Sequence, residues 1–370
     1  KIDLQETSNL KRKISIVFRA YNDGIGFRYE FPEQENLSEV FITDENTQFN
    51  LTGDHKVFWI PGDWDIYEHL YSTTNFTEID AKSKAKNKDL AQTSIPENAV
   101  NTPVTMKTDN GLYLSFHEAA LVDYSGMTLK IDKENLAMNS ELVGSNNNDY
   151  KVKRTAPFNT PWRTIQIAEK AGDLIESKLI LNLNEPNKLG DISWFKPTKY
   201  TGIWWEMHIG KSTWDYAGSQ NAQNNGDLKP TGKHGATTTN TKRYIDFAAK
   251  HGFDGVLVEG WNVGWEDWYG NWKENVFDFT TPYPDFNLEE INEYAKLKGL
   301  KVISRTSTER YKNTDKSIPE IAKELGVSYI VEGSVRKHEY KVIITAQLID
   351  ANDTHVWAQN YNDDFKEVFK

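Results

Sequence analysis

The residues with the most distinctive chemistry lie between Asp254 and Trp272, where a short apolar run ends at Glu259. The loop that follows crowds indole rings and carboxylates together: Trp261, Trp265, Glu266, Asp267, Trp268 and Trp272. Flat aromatic faces beside acids suit a sugar, which has apolar C–H faces and a rim of hydroxyl groups. The segment therefore predicts a sugar-binding surface in which Glu259 accepts hydrogen bonds from hydroxyl groups. Two other roles stay open: Glu259 can cap loop amides, and at least two of the tryptophans can be core residues, because their spacing matches one face of a helix.

Two groups of acids raise further possibilities. Glu266 and Asp267 are adjacent, but a glycosidase needs two carboxylates about 5–5.5 Å apart for retention or about 6.5–9.5 Å apart for inversion. Adjacent residues rarely reach that geometry, so a solvated loop or a capping role is the favoured interpretation. The stretch from Pro61 to Glu68 is also acidic, and its hard oxygen ligands suit Ca²⁺. On composition alone, solvation explains such a loop better than metal binding does.

The composition excludes several classes of protein. The chain has 370 residues, enough for two or three domains, and 38% hydrophobic residues, enough for ordinary cores. Its formal charge of -11 argues against general nucleic-acid binding, which needs concentrated Lys and Arg. It has no cysteines, which excludes disulfides, thiolate metal sites and cysteine nucleophiles. The sequence shows neither a membrane-span-length apolar run nor a signal peptide, and it opens at Lys1 in what reads as mid-strand, so we expect a truncated N-terminus.

Residues 1–190 have the pattern of an antiparallel β-sandwich, with short strands separated by polar turns. The two clearest hairpins turn at Asn22–Gly24 and at Asn110–Gly111. The predicted strands are Ile14–Tyr21, Ile25–Phe31, Lys56–Ile60, Val104–Lys107, Leu112–Phe116, Met127–Ile131, Thr164–Ala168 and Leu179–Leu183. The lysine-rich stretch from Asp80 to Ala99 reads as a surface loop.

From about residue 191, predicted strands alternate with helices. The strands are Tyr200–Trp205, Val256–Val258 and Leu300–Ile303, and the helices are Asn240–Lys250, ending at Gly252, and one that runs from a capping box at Asn287–Glu290 to Gly299. This alternation predicts a (β/α) barrel or a doubly wound sheet, with functional residues at the C-terminal ends of the strands. From Thr306 the pattern becomes a small α+β arrangement: a helix through Leu325, then antiparallel strands.

Several segments, in matching order, resemble glycoside hydrolase family 97, in particular its calcium-dependent α-glucosidases of bacterial starch utilisation. They are Arg19–Phe31, Gly53–His55, Phe58–Asp63, His117–Tyr124, Asn159–Thr164, Leu181–Pro186, Gly232–His234, Arg243–Ala249 and Val256–Asn262. The resemblance implies a β-sandwich followed by a (β/α)8 barrel, an α-linked gluco-oligosaccharide as ligand, Ca²⁺ as cofactor and a periplasmic location. It implies that Glu68 is a calcium ligand and that Trp204 and Glu259 line the sugar subsite. We place Trp261 beside them in the predicted substrate-binding set.

The same resemblance implies that the chain lacks its catalytic residues. Family members carry the remaining calcium ligands, the general acid and the base or nucleophile on later barrel strands. The stretch Ile303–Thr308 has no carboxylate where close relatives have a catalytic base. From about Leu300 the chain instead resembles the TolB-like domain of bacterial regulators, through Val302–Ser307, Ile321–Gly326, Val331–Val335, Ile344–Asp350 and Tyr361–Phe369.

We therefore expect a β-sandwich at 1–190, an incomplete barrel at 191–301 with about three of the eight strands, and a TolB-like α+β fragment at 302–370. The expected function is hydrolysis of α-glucosidic bonds by family, with this chain inactive. The alternatives are a non-catalytic carbohydrate-binding or regulatory fusion, and a chimera of two gene fragments. The sequence does not determine linkage preference, inverting or retaining chemistry, or oligomeric state.

Overall fold

The structure is a computed structural model that describes residues 1–84, 94–144, 148–193, 196–218, 229–266, 276–303, 314–325, 327–338 and 341–364. The chain divides into two compact units, Lys1–Lys188 and Leu189–Lys370, which we call unit 1 and unit 2. The first division lies close to the predicted limit at residue 190, and the predicted limit at residue 301 stays a prediction. Residues 85–93 of the predicted loop and residues 304–308 of the predicted seam lie outside the described residues.

Unit 1 is built from antiparallel strands. They are β1 (Ile2–Gln5), β2 (Lys13–Tyr21), β3 (Gly24–Phe31), β4 (Glu39–Ile42), β5 (Gln48–Asn50), β6 (Lys56–Trp59), β7 (Ser72–Asn75), β8 (Ala99–Asn101), β9 (Val104–Lys107), β10 (Tyr113–Ala119), β11 (Met127–Asp132), β12 (Ala137–Leu142), β13 (Val152–Thr155), β14 (Phe158–Asn159) and β15 (Trp162–Ala168). A nine-stranded sheet has the order β1-β2-β3-β15-β10-β9-β6-β7, with β14 paired to β3. A four-stranded sheet has the order β5-β12-β11-β8, and β4 pairs with β13.

The two larger sheets share one hydrophobic core, which confirms the predicted β-sandwich. Val57, Val104 and Phe116 come from the nine-stranded sheet, and Leu129 and Met138 come from the four-stranded sheet.

The described part of unit 1 also contains a 3-10 helix (Phe76–Glu78) and three short α-helices: α1 (Ala81–Lys84), α2 (Ala171–Glu176) and α3 (Leu179–Leu183). The predicted strand at Leu179–Leu183 is therefore wrong. In a strand all three leucines would share one face, yet Leu179 and Leu183 are buried while Leu181 is 73% exposed. Residues four apart share a helix face, and this face packs on β3. The predicted loop at Asp80–Ala99 likewise contains α1 and ends in β8.

Unit 2 begins with alternating strands and helices. They are β16 (Tyr200–Gly202), α4 (Trp205–His208), α5 (Thr238–Lys250), β17 (Gly255–Leu257), α6 (Leu288–Leu297) and β18 (Lys301–Ile303). The three strands are parallel, in the order β16-β17-β18. The alternation matches the prediction, but β16 is shorter than the predicted Tyr200–Trp205. The chain turns after Gly202, because the Glu206 amide donates to the Ile203 carbonyl at 3.0 Å and starts a helical turn.

The predicted glycine signals after α5 and α6 are confirmed, and the predicted capping box of α6 forms in part. The Asn287 side chain accepts from the Glu290 amide at 3.1 Å, and Gly252 and Gly299, with φ of +70° and +73°, follow the two helices. Only half of the capping box forms, because the Glu290 carboxylate binds Lys242 at 2.6 Å instead of returning to the Asn287 amide. The described helices include none long and apolar enough to cross a membrane.

The C-terminal part of unit 2 contains α7 (Ile318–Leu325) and three antiparallel strands: β19 (Tyr329–His338), β20 (Lys341–Asp350) and β21 (His355–Asp364). At the start of α7, the Ser317 amide and hydroxyl both donate to the Glu320 carboxylate at 2.8 Å.

Candidate functional site

Trp204 and Glu259 occupy matching positions at the ends of neighbouring parallel strands. β16 ends at Gly202 and β17 at Leu257, and these two residues are register partners. Trp204 and Glu259 each follow two residues later, and both are half-buried. The structure therefore places Trp204 and Glu259 at the C-terminal edge of the parallel sheet. The family resemblance expects these two residues, which we call the sugar wall, to line the sugar subsite at this edge. This is the edge at which parallel α/β folds carry their ligand sites.

The Trp204 indole belongs to an aromatic cluster. It stacks on Trp214, with centroids 4.3 Å apart and planes 14° apart, and Trp265 meets it at 5.5 Å and 63°. His208 packs against the same ring at 5.6 Å. Aromatic rings favour stacked and edge contacts of this kind. Trp214 was not predicted from the sequence, because it lies in a segment with neither strand nor helix periodicity. The cluster holds the Trp204 ring in a fixed orientation.

Trp261 lies in the hydrophobic core of unit 2. It is 2% exposed, and its ring centroid is 5.4 Å from that of Phe286. This position fits the core role that the helical spacing left open, while its membership of the substrate-binding set stays a prediction. Trp268, Trp272 and Asp267 lie outside the described residues.

The turn that carries Glu259 is held against the loop after β16. Gly260 has a φ of +81°, and a Cβ atom there would lie 2.7 Å from the Trp214 carbonyl oxygen. Only glycine combines this conformation with so close an approach. The Gly260 carbonyl oxygen lies 2.7 Å from His234 Nε2, and His234 Nδ1 lies 2.9 and 3.0 Å from the carboxylate oxygens of Asp285.

Glu206 is a buried carboxylate that was not predicted from the sequence. It accepts hydrogen bonds from five side chains: Lys211 at 2.6 Å, Ser212 at 2.9 Å, Asn240 at 3.1 Å, Arg243 at 2.6 Å and Tyr244 at 2.9 Å. Burial raises the pKa of Glu206, but the hydrogen bonds outweigh burial and lower the pKa from 4.5 to about 2. A carboxyl group this firmly ionised is no proton donor near neutral pH. Its role is to anchor α4 to α5.

Glu266 is buried rather than solvated. It is 3% exposed, and it accepts hydrogen bonds from the Gly264 amide at 3.2 Å and from the Tyr283 hydroxyl. The sequence favoured a solvated loop or a capping role for Glu266, and the structure shows the capping role. Burial and the Glu266 charge both raise the pKa of Tyr283.

Glu68 lies in unit 1, half-buried in the acidic stretch after Pro61. Asp63 orders this stretch, because its carboxylate accepts from the amides of Asp65 and Ile66 at 2.9 and 3.1 Å and lies 3.2 Å from His69 Nε2. Calcium takes six to eight oxygen ligands. Within the described ranges, no three His, Asp or Glu side chains come together as a metal would require.

Comparisons with known proteins cover most of the chain. The model described as Glycosyl-hydrolase 97 N-terminal matches residues 1–186, and the model described as Glycoside hydrolase 97 matches residues 204–364. A retaining alpha-galactosidase of Bacteroides thetaiotaomicron is 22% identical over 340 residues, which are 87% of this chain and 46% of that protein. A putative adenylate cyclase 3 of Rhizobium meliloti is 39% identical over 80 residues, which are 21% of this chain and 14% of that protein.

The solved structures agree with the family models. A glycoside hydrolase family 97 enzyme from Pseudoalteromonas sp. strain K8, in complex with acarbose, is 40% identical with a TM-score of 0.58, and the match covers 88% of this chain and 45% of that one. A glutamate-to-glutamine variant of a family 97 enzyme from the same strain, in complex with panose, is 41% identical with a TM-score of 0.57 and the same coverage. The chain thus spans about half the length of these relatives. On the two family models, it belongs to glycoside hydrolase family 97.

Proposed function

We propose that this chain binds α-linked gluco-oligosaccharides at the sheet edge that carries Trp204 and Glu259. The observation behind the proposal is their shared register: an indole supported by Trp214 follows one strand, and a carboxylate follows the next. An indole face covers the C–H face of a sugar ring, and a carboxylate accepts hydrogen bonds from its hydroxyl groups. Family 97 structures with acarbose and with panose, a trisaccharide of α-linked glucose, support this ligand class.

The reaction we propose for a complete site of this kind is hydrolysis of the α-glucosidic bond. One carboxylic acid protonates the glycosidic oxygen, and a second carboxylate acts as nucleophile or activates water. A general acid must hold its proton near the working pH. Glu206, with its pKa of about 2, does not. Glu266 is committed to Tyr283 and to the Gly264 amide.

We therefore propose binding without turnover for this chain. In this proposal β16, β17 and β18 are part of a (β/α)8 barrel, and the acid and its partner belong to barrel strands other than these three. The stretch Ile303–Thr308 supports it, since it has no carboxylate where the family resemblance expects a base.

An α-galactoside is the second candidate ligand, because the retaining alpha-galactosidase matches 87% of this chain. Its identity is 22%, compared with 40% for the enzyme solved with acarbose, so we favour the glucoside. Glucose and galactose differ in the orientation of one hydroxyl group. Isomaltose and melibiose therefore form a matched pair of ligands, since the non-reducing ring is glucose in one and galactose in the other.

Calcium binding is a proposal confined to Glu68, whose carboxylate would supply one oxygen ligand. We propose no step that depends on the ion. Export to the periplasm and a TolB-like character for residues 302–370 are likewise proposals from resemblance. Calorimetry with Ca²⁺ on the wild-type chain and on Glu68→Gln tests the metal, with weaker or absent binding expected in the variant.

Titration of the purified full chain with acarbose, isomaltose and melibiose tests the sugar site. We expect Trp204→Ala and Glu259→Gln each to weaken acarbose binding at least about tenfold, which corresponds to about 1.4 kcal/mol. Trp205→Ala is the matched control, because this neighbouring indole begins α4 and is 44% exposed. Wild-type affinity in Trp204→Ala would contradict the proposed wall. Preference for melibiose would favour the galactoside.

Turnover is measured separately, as release of glucose from maltose or p-nitrophenyl α-glucoside with and without calcium. We expect acarbose binding without glucose release. Calcium-stimulated release by the purified chain would overturn the proposal of binding without turnover and leave the proposed ligand class intact.

A further inference from the structure

His234 connects three segments around the proposed sugar wall. Its imidazole is buried between the carbonyl oxygen of Gly260, in the turn after β17, and the carboxylate of Asp285, just before α6. Its backbone neighbours pair with Thr213, in the loop after β16. The Thr213 amide donates to the carbonyl of the residue before His234 at 2.9 Å. The Thr213 carbonyl accepts from the amide of the residue after His234 at 3.1 Å.

The partners of the ring fix its hydrogen-bonding state. A backbone carbonyl and a carboxylate both accept, so each ring nitrogen of His234 has to donate. Neutral imidazole carries one N–H and imidazolium carries two. The Asp285 carboxylate, 28% exposed, supplies the opposite charge. Among the described residues, Tyr283 and Tyr216 meet the ring edge-on at 5.2 and 6.2 Å, and Glu266 and Asp215 lie beyond Tyr283.

We infer that His234 is a positioning residue that, as an imidazolium, clasps the Glu259–Gly260 turn and thereby sets the placement of Glu259 beside Trp204. The contacts that connect His234 with Trp204 pass through Gly260 and Trp214. The clasp holds Gly260 where a Cβ would meet the Trp214 carbonyl, and the Trp214 ring supports Trp204. The consequence for sugar binding rests on the proposed function, whereas the clasp itself rests on geometry alone.

Nitrogen NMR of the full chain labelled with ¹⁵N-histidine tests the clasp without any sugar. We expect one histidine with both ring nitrogens protonated at neutral pH, identified by its loss in His234→Gln. In Asp285→Asn the counter-charge is gone, so we expect a neutral ring that keeps its N–H toward Gly260. A His234 spectrum with one unprotonated nitrogen in the wild-type chain would overturn the inference.

Acarbose titration tests the positioning role. We expect His234→Gln to weaken binding about tenfold or more and to speed hydrogen exchange in residues 255–263, because the Glu259–Gly260 turn loses the imidazole that holds it. The matched control is His251→Gln, at the exposed end of α5 on Phe247, which we expect to keep wild-type affinity and exchange. Wild-type affinity in His234→Gln would refute positioning.

Failure of the proposed function has a different signature. If the wild-type chain does not bind acarbose, the proposed sugar site is wrong. The protonation of His234 and the exchange rates of residues 255–263 then still decide whether the clasp exists.

Discussion

The indole rings of Trp204 and Trp214 lie stacked, 4.3 Å apart and 14° from parallel, yet they differ in exposure. Trp214 is 6% exposed and belongs to the core of unit 2, whereas Trp204 is half-buried. The Trp214 ring therefore supports the stack from the core, and the Trp204 ring is the accessible one. This division would let a single aromatic pair serve both the stability of unit 2 and the proposed ligand.

Replacing Trp214 should weaken both the stability of unit 2 and acarbose binding. We expect Trp214→Ala to lower the free energy of unfolding by about 3–5 kcal/mol, the usual cost of deleting a large core aromatic. It should also weaken acarbose binding, because the Trp204 ring loses its support. Trp214→Phe keeps a stacking partner and should cost less on both counts. Urea unfolding and calorimetry measure the two effects. An unchanged acarbose affinity in Trp214→Ala would show that acarbose binding does not need the support of Trp214.

Because of the Glu206 carboxylate, the free energy of unfolding should depend on pH. Its pKa is about 2 in the folded chain against 4.5 for an ordinary glutamate. The stabilisation, on the order of 3 kcal/mol, is therefore present above about pH 4.5 and is lost as the pH falls toward 2. Glu206→Gln has no such titration, so its stability should be lower at neutral pH and flatter between pH 4.5 and 2.

Urea unfolding at several pH values measures this difference. The control is Glu290→Gln, because Glu290 is an exposed acid with one ion-pair partner, Lys242. Exposed pairs contribute little, so the control should follow the wild-type pH profile. Parallel profiles for the wild-type chain and Glu206→Gln would contradict the assignment.

The sequence predicts elements whose periodicity is local, and it fails where partners are distant. Strands such as β2 and β9 are recognisable because polar turns bound them. The helix α3 is not, because its five residues fit either period, and burial against β3 decides. Glu206 has Arg243 and Tyr244 as partners from α5, 37 and 38 positions along the chain, and no local pattern relates these positions. Glu259 was predicted from its place at the end of a strand, where parallel α/β folds carry their sites, and Trp204 was predicted from the family resemblance.

The helical assignment of Leu179–Leu183 has a direct test in two leucines. Leu183→Ala should cost about 2–5 kcal/mol, because Leu183 is 2% exposed and packs with Leu179 and Trp162. Leu181→Ala should stay within about 0.5 kcal/mol, because its side chain is 73% exposed. Urea unfolding gives both values. Similar costs for the two substitutions would point to the strand that the sequence suggested.

Gly260 and Gly252 separate two reasons for glycine. Both have positive φ, +81° and +70°, but a Cβ at Gly252 meets nothing within 4 Å, whereas one at Gly260 lies 2.7 Å from the Trp214 carbonyl oxygen. Gly252→Ala should therefore cost only the left-handed backbone penalty, about 1–2 kcal/mol, with acarbose binding intact. Gly260→Ala adds a backbone clash that only movement of the turn can relieve. It should cost more stability and, because the turn carries Glu259, also weaken acarbose binding. Equal losses of stability with equal affinities would show that the approach of Gly260 to Trp214 is not what places Glu259.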